Sequence, residues 1–262
     1  MKRKLLLLIL GILILSSCTS QKKLAYMSNL SETGGEEYFT MSIPDYKLQP
    51  RDILYITIKG MTPDGSITDF LLSTRSNQGV NLTQSESGGY IYGYNVNSEG
   101  CIVLPEVGLI MVGGLTIEES RTKIQSSADK VFKNTLVDCK LLSFKFTVIG
   151  EVKAPGTYVN YNNYLTVLEA IGRAGGIGDF GRRDKVLVVR ATGGGTKTYT
   201  LNLQKKELLT SQAYFLLPND VIIIEPESKK IFNLNIPTFS FIFTSVTAAV
   251  TTTLLLINFF GK

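Results

Sequence analysis

Residues 239–260 form a run of 22 residues without a charge. As an α-helix this run is about 33 Å long, enough to cross a hydrocarbon core of about 30 Å. Lys229 and Lys230 precede it and Lys262 follows it. In a bilayer such a segment must be helical, because only a helix pairs every backbone N–H and C=O within itself. Ser240, Thr244, Thr247, Thr251 and Asn258 recur in it at spacings of four, three, four and seven. On a helix they fall within about 60° of one another. Leu254 interrupts the stripe at its edge. Ile242, Val246, Ala249, Leu256 and Phe260 lie opposite, with Thr253 the exception. Two membrane readings stay open. In a ring of copies the stripe lines a wet lumen, or it is the seam along which neighbouring helices pack. A buried helix or a plain tail anchor is the simpler rival.

The other end of the chain carries a targeting segment. Met1-Lys2-Arg3-Lys4 is a basic start and residues 5–15 are apolar, too few to span a bilayer comfortably. Ser16-Ser17 then stand directly before Cys18. Small residues before a cysteine resemble the bacterial lipoprotein processing signal. That resemblance implies removal of residues 1–17 and diacylation of Cys18. Thr19 and Ser20 follow, with no Asp beside the cysteine, which resembles export to the outer membrane. Residues 18–41 read as a lipidated, polar tether.

Charge and composition exclude several classes. Without Lys2, Arg3 and Lys4 the chain has 24 basic and 22 acidic residues, a balance of +2. No dense basic patch with interleaved aromatics suggests nucleic acid. Histidine is absent, which removes the commonest general base and metal ligand. Gly175-Gly176-x-Gly178 follows a predicted helix, whereas a dinucleotide loop sits between a strand and a helix. No Walker lysine, nucleophile elbow or metal-ligand spacing is present, so no catalytic residue, metal or cofactor is expected. Cys101 and Cys139 remain after processing; two reduced, buried thiols are expected rather than a disulfide framework.

The middle of the chain reads as strands with one clear helix. Tyr46-Lys47-Leu48-Gln49-Pro50-Arg51-Asp52 leads into a β-branched strand at residues 53–58. Residues 60–90, rich in Gly, Ser, Thr and Asn, read as an irregular insertion. Asn97-Ser98-Glu99-Gly100 is a predicted turn between residues 90–96 and a partner strand at 101–105. Residues 108–115 add a short strand and turn. Thr116 with Glu119 is a capping box. Ile117, Ile124, Ala128 and Val131 supply the apolar stripe of the helix that follows. These features predict a small α/β domain at 42–145.

A second unit starts near residue 146. Residues 146–152 form a strand, Lys153-Ala154-Pro155-Gly156 a turn, and residues 157–159 the returning strand. Gly156 suits a type II turn, where glycine accepts positive φ. Gly150 and Glu151 adjoin that turn as a candidate subunit contact. Thr166 and Glu169 form a second capping box, with Val167, Leu168 and Ile171 as the apolar face and Gly175-Gly176 as the stop. Strands at 185–190, 198–203 and 221–225 complete a β-β-α-β-β-β order, that of a β-grasp-like domain at 146–228. Tyr214-x-Leu216-x-Pro218-x-Asp220 repeats the spacing of Tyr46-x-Leu48-x-Pro50-x-Asp52. In both, the Asp suits a structural turn role. The chain is thus α+β: a small α/β domain, one β-grasp-like domain, and a helix region at 229–262.

In this order the motifs resemble the outer-membrane polysaccharide export lipoproteins. Tyr46, Pro50 and Asp52 resemble the opening of the export domain. Gly100, Pro105 and Gly108, in Gly100-x-Ile102-x-Leu104-Pro105-x-Val107-Gly108, continue it. Val148-x-Gly150-Glu151-Val152-x-x-Pro155-Gly156-x-Tyr158 resembles a soluble-ligand-binding β-grasp domain. Thr166-x-x-Glu169-Ala170-Ile171 and Leu217-Pro218-Asn219-Asp220-Val221 match its helix and last strand. The resemblance implies a homo-oligomeric ring, about eightfold. Its main domains stand in the periplasm and its helices in the outer membrane. It also implies an inner-membrane polysaccharide copolymerase as partner, in many cases with tyrosine kinase activity. The function expected is a non-enzymatic translocon for capsular polysaccharide or exopolysaccharide. A glycan-binding or scaffolding lipoprotein without a pore is the alternative, and a cell-wall hydrolase a third class.

Overall fold

The computed structural model describes residues 24–30, 35–61, 65–71 and 92–260, without the side chains of residues 231–240 and 254. Cys18, the leader, and residues 72–91 of the polar stretch lie outside the described residues. The first sheet is built on β1 (Ile53–Met61), whose alternation sends Leu54, Ile56 and Ile58 into the core. One edge of β1 carries two short strands end to end. β2 (Ile67–Asp69) pairs with Lys59 to Met61, and β3 (Tyr94–Asn95) pairs with Ile53 and Leu54. The other edge carries β6 (Thr135–Leu141) along seven residue pairs. All three pairings are antiparallel.

The strand at residues 101–104 does not pair where the sequence suggests. β4 (Cys101–Leu104) is antiparallel to β5 (Gly108–Met111), while residues 94–95 go to β1. The turn at 97–100 does form, with the Asn97 N–H donating to the Cys101 carbonyl at 2.8 Å. It reverses the chain without making the two flanking segments a ladder. Both alternatives bury apolar side chains equally well in the sequence, and pairing is decided by long-range packing.

α1 (Ile117–Ala128) has the predicted capping box. Thr116 Oγ1 accepts from the Glu119 N–H at 3.2 Å, and Glu119 accepts from the Thr116 N–H at 2.8 Å. The Thr116 N–H holds the Glu119 carboxyl below its ordinary range. Ile124 and Ala128 are fully buried, whereas Val131 lies beyond the helix end and is exposed. Gln125 ties α1 to β6: its amide donates to the Thr135 carbonyl at 2.9 Å and its oxygen accepts from the Val137 N–H at 2.9 Å.

The second sheet has the order β10-β9-β11-β7-β8. β7 (Lys145–Gly150) and β8 (Gly156–Val159) form a hairpin, as do β9 (Gly181–Thr192) and β10 (Gly195–Leu201). β11 (Val221–Pro226) joins them at the centre, parallel to β7 and antiparallel to β9. α2 (Val167–Arg173), capped by Thr166 and Glu169, contributes Val167, Ala170 and Ile171 to a core with Phe146, Val148, Val186, Val188, Ile222 and Ile224. Two hairpins joined through a parallel central pair, with one helix between them in sequence, is the predicted β-grasp arrangement. α3 (Ser228–Phe260) then runs for 33 residues.

Candidate functional site

The two Tyr-x-Leu-x-Pro-x-Asp segments build the same turn twice. In the first, the Asp52 N–H donates to the Gln49 carbonyl at 3.1 Å. In the second, the Asp220 N–H donates to the Leu217 carbonyl at 3.1 Å. Pro50 and Pro218 supply the fixed φ, and Arg51 (φ 78°) and Asn219 (φ 67°) take the left-handed position. These are type II turns without glycine at the third position. In each, the carboxylate turns back onto its own turn. Asp52 accepts from the Gln49 N–H and Asp220 from the Leu217 N–H, both at 2.8 Å.

What else each carboxylate holds differs. The Tyr46 hydroxyl donates to Asp52 at 2.8 Å, and the Ser143 hydroxyl does so at 3.1 Å. Burial, with Asp52 beside it, pushes the Tyr46 phenol well above its ordinary value. Asp220 is fully buried and paired with Arg190, whose Nη2 lies 2.7 Å and Nε 3.0 Å from its oxygens. Arg190 follows Val186 and Val188 on the inward face of β9, so a charge stands where the strand pattern calls for an apolar residue. Asp220 is its compensation, from 30 residues away. No local signal in the sequence announces that pair.

The remaining export-domain residues are backbone devices. Gly100 has φ +81°, and a Cβ there would stand 3.1 Å from the Gly113 Cα. The Val112 and Gly113 N–H groups both donate to the Gly100 carbonyl, so two loops meet there. Pro105 opens the β4–β5 turn and Gly108, at φ +90°, ends it. Among these residues only Tyr46 and Asp52 touch through their side chains in the way a site requires.

The β-grasp turn needs a correction. Gly156 does not adopt positive φ; it begins β8, and a Cβ there would meet nothing closer than 3.9 Å. The constrained glycine is Gly150, at φ +94°, where a Cβ would stand 2.0 Å from the Ile224 carbonyl oxygen. β11 runs that close to it because the two strands are paired. Glu151 forms an ion pair with Lys230 in the first turn of α3. Its candidate role in subunit contact therefore competes with a partner inside the chain. Pro155 lies between the two glycines and the Tyr158 hydroxyl donates to the Ala154 carbonyl.

The membrane-length part of α3 is Phe241–Phe260, with a mean hydropathy of 1.7. Phe241, Phe243, Phe259 and Phe260 are each more than 70% exposed. Thr247 donates to the Phe243 carbonyl, and Thr251 to the Thr247 carbonyl at 2.6 Å. Backbone carbonyls of the same helix thus take up hydroxyls of the predicted polar stripe. Thr252 and Thr253 do the same toward Ala248 and Ala249, both at 2.7 Å, and Ser245 toward Ile242 at 2.8 Å. Ser245 and Thr252 lie off the stripe, so the polar side is less exclusive than five positions suggest. The Ser240 side chain lies outside the described residues. Thr244 and Asn258 are exposed on the helix.

A cleft of about 350 Å³ lies at the root of α3, between the start of β9 and the turn at Gln204. Arg182, Arg183, Asp184, Gln204, Glu227, Ser228 and Lys229 line it. Arg182 is held by Asp184 at 2.7 Å and by Glu225 at 3.7 Å. Among the described residues no group of His, Cys, Asp and Glu could hold a metal ion. Cys101 and Cys139 are free, buried thiols.

Two main sheets, each preceded or closed by the same Pro-x-Asp turn, and a long apolar helix after them make up the described fold. Residues 41–142 match the polysaccharide biosynthesis/export protein family, and residues 144–224 match the SLBB domain. The chain thus carries an export domain of the polysaccharide biosynthesis/export protein family followed by an SLBB domain. It is 33% identical over 150 residues to the EPS I polysaccharide export outer membrane protein EpsA of Ralstonia solanacearum, covering 53% of this chain and 38% of that protein. The protein of the same name from Ralstonia nicotianae is 32% identical over 152 residues, covering 54% and 38%. The chain thus spans under two fifths of the length of these relatives. These two domains support a non-enzymatic role.

Proposed function

We propose that the chain is one subunit of an oligomeric outer-membrane translocon for exported polysaccharide, capsular polysaccharide or exopolysaccharide. The observation that carries this reading is α3. Its apolar span is exposed, and among the described residues nothing covers it. Apolar surface left in water costs about 25 cal/mol per Å², so a helix of this kind needs lipid and sister helices around it. In a ring, Ser240, Thr244, Thr247, Thr251 and Asn258 face the conduit. Ile242, Ala249 and Leu256 face lipid. A neutral hydroxyl lining suits passage of a hydrated polymer without tight binding. The two domains, proposed at 42–145 and 146–228, stand in the periplasm. Cys18 carries the lipid that anchors the chain to the outer membrane. The ring is about eightfold, by family resemblance. Its partner is an inner-membrane polysaccharide copolymerase, with or without a tyrosine kinase. The names of the relatives in Ralstonia support polysaccharide as cargo.

Cryo-electron microscopy of the detergent-extracted full-length protein tests the reading. The expected result is a closed ring with a lumen ending in a bundle of α3 helices. Discrete monomers that bind glycan would replace it with the scaffolding reading. Cys18→Ser should abolish labelling by a palmitate analogue and leave unprocessed precursor; unchanged labelling would remove Cys18 as the lipid site.

A further inference from the structure

Residues 24–30 are seated on the β-grasp domain. The Met27 N–H donates to the Leu203 carbonyl at 2.9 Å, and the Ser28 N–H to the Gln204 carbonyl at 2.8 Å. Asn29 then fixes the register. Its side-chain oxygen accepts from the Lys206 N–H at 2.7 Å, and its amide donates to both Glu207 carboxylate oxygens, at 3.3 and 3.2 Å. Lys206 opens a 3-10 turn (Lys206–Thr210), whose preceding residue, Lys205, makes no capping bond with its own side chain. Asn29 supplies that cap from 177 residues away. The Tyr26 ring centre lies 5.9 Å from the Arg183 guanidinium carbon, and Lys206 pairs with Glu37 at 2.7 Å.

This dock adjoins the root of α3. Arg183 and Gln204, both contacted by the arm, line the same cleft as Ser228 and Lys229. The root is itself fixed: the Glu227 N–H donates to the Phe180 carbonyl at 2.6 Å, and Lys230 pairs with Glu151. The dock of residues 24–30 and the start of α3 therefore share one place on the β-grasp domain. The remaining lengths are compatible. Leu24 stands six positions after Cys18, a reach of at most about 20 Å. Phe241, where the apolar span begins, stands thirteen positions after Ser228, which is about 20 Å of helix.

We propose that residues 24–30 are a strap that ties the lipid anchor to the β-grasp domain beside the root of α3, so that both attachments enter one membrane from one end of the domain. The proposal rests on the reading that Cys18 carries lipid and that α3 enters that membrane. The helix acts as a strut, and the stretch from Cys18 to the strap can reach no farther than that strut is long. With so short a reach, no other end of the domain can turn toward the bilayer.

Trapping the dock in membranes tests it. Asn29→Cys and Glu207→Cys are placed in the full-length chain with Cys101→Ala and Cys139→Ala, and a short bis-methanethiosulfonate is added. Peptide mass spectrometry reads the link, a non-reducing gel reads whether it joins one chain or two, and a palmitate analogue reads Cys18 independently. The expected result is a link within one chain in most lipid-labelled molecules, lost for the most part when Met27→Pro removes the backbone donor. Lipid-labelled protein without the link overturns the strap and leaves the anchor standing. A link that joins two chains overturns it as well, since the dock then belongs to a neighbour. A link in protein without lipid label overturns the strap together with the lipoprotein reading of Cys18.

Discussion

Gly150 and Gly156 show how one atom decides a residue's importance. Gly150 sits at φ +94° with the Ile224 carbonyl oxygen where a Cβ would go. Gly150→Ala should cost about 1–3 kcal/mol from the backbone conformation alone, with the collision against β11 in addition. Thermal melting should show a loss of several degrees. Gly156→Val should change stability by no more than about 0.5 kcal/mol, because the site is open strand where a β-branched residue is welcome. A reversed ranking would return the strained turn to Gly156. The Asp220–Arg190 pair carries a larger penalty, since its oxygens and guanidinium are almost wholly out of water. Asp220→Asn should destabilise the β-grasp domain by about 3–5 kcal/mol, the usual cost of orphaning a buried charge, seen as a lower denaturation midpoint. Cys139 gives a pH-dependent test. Burial, then the nearby Asp138, pushes its thiol up from 9.0 to about 12. The folded state thus prefers the protonated thiol. Its contribution to stability is full below pH 9 and is lost as pH rises toward 12. At pH 9 a thiol reagent should spare Cys139 in the native protein and modify it after denaturation; rapid native labelling would contradict the burial.

At the scale of elements, α3 is where structure and proposed function meet most directly. Single cysteines at 244, 247, 251 and 258, in a background lacking Cys101 and Cys139, should react with a membrane-impermeant thiol reagent. Cysteines at 242, 249 and 256 should resist, as lipid-facing positions. Labelling confined to 242, 249 and 256 would invert the facing, and labelling all round would deny a packed membrane helix. Elements set by local chemistry were legible in the sequence. Both capping boxes form as the Thr-x-x-Glu spacing requires. The alternation of Leu54, Ile56 and Ile58 gives β1, and the two Pro-x-Asp turns share one geometry. What depended on distant partners was not legible. β4 had two apolar strands to choose from, and packing gave it β5. Gly150 looked like any glycine near a turn until β11 was laid beside it. Arg190 and Asn29 find their partners 30 and 177 residues away, and neither has a local pattern that announces it.

Across the whole molecule, the two cores are separate clusters, one around β1, β6 and α1 and the other around the β-grasp sheet. Among the described side chains, neither contains a residue of α3. The helix is joined to the domains at its root, by Glu227 and the Lys230–Glu151 pair. Folding of the domains should therefore survive without the membrane span. A chain truncated after Thr238 keeps that root and removes the apolar run. It should melt cooperatively, with a midpoint within a few degrees of the full chain, and retain the β-sheet circular dichroism signal. If α3 closes the conduit through the outer membrane, the same truncation should stop polysaccharide export while the protein stays at normal level on its lipid anchor. Export is measured as cell-surface polymer, and anchoring as membrane-associated protein. The two readouts separate a folding defect from a missing pore. A truncated chain that unfolds would show that the helix supports the β-grasp domain through its root. A truncated chain that folds and still exports would leave α3 as an anchor alone and place the conduit elsewhere in the assembly.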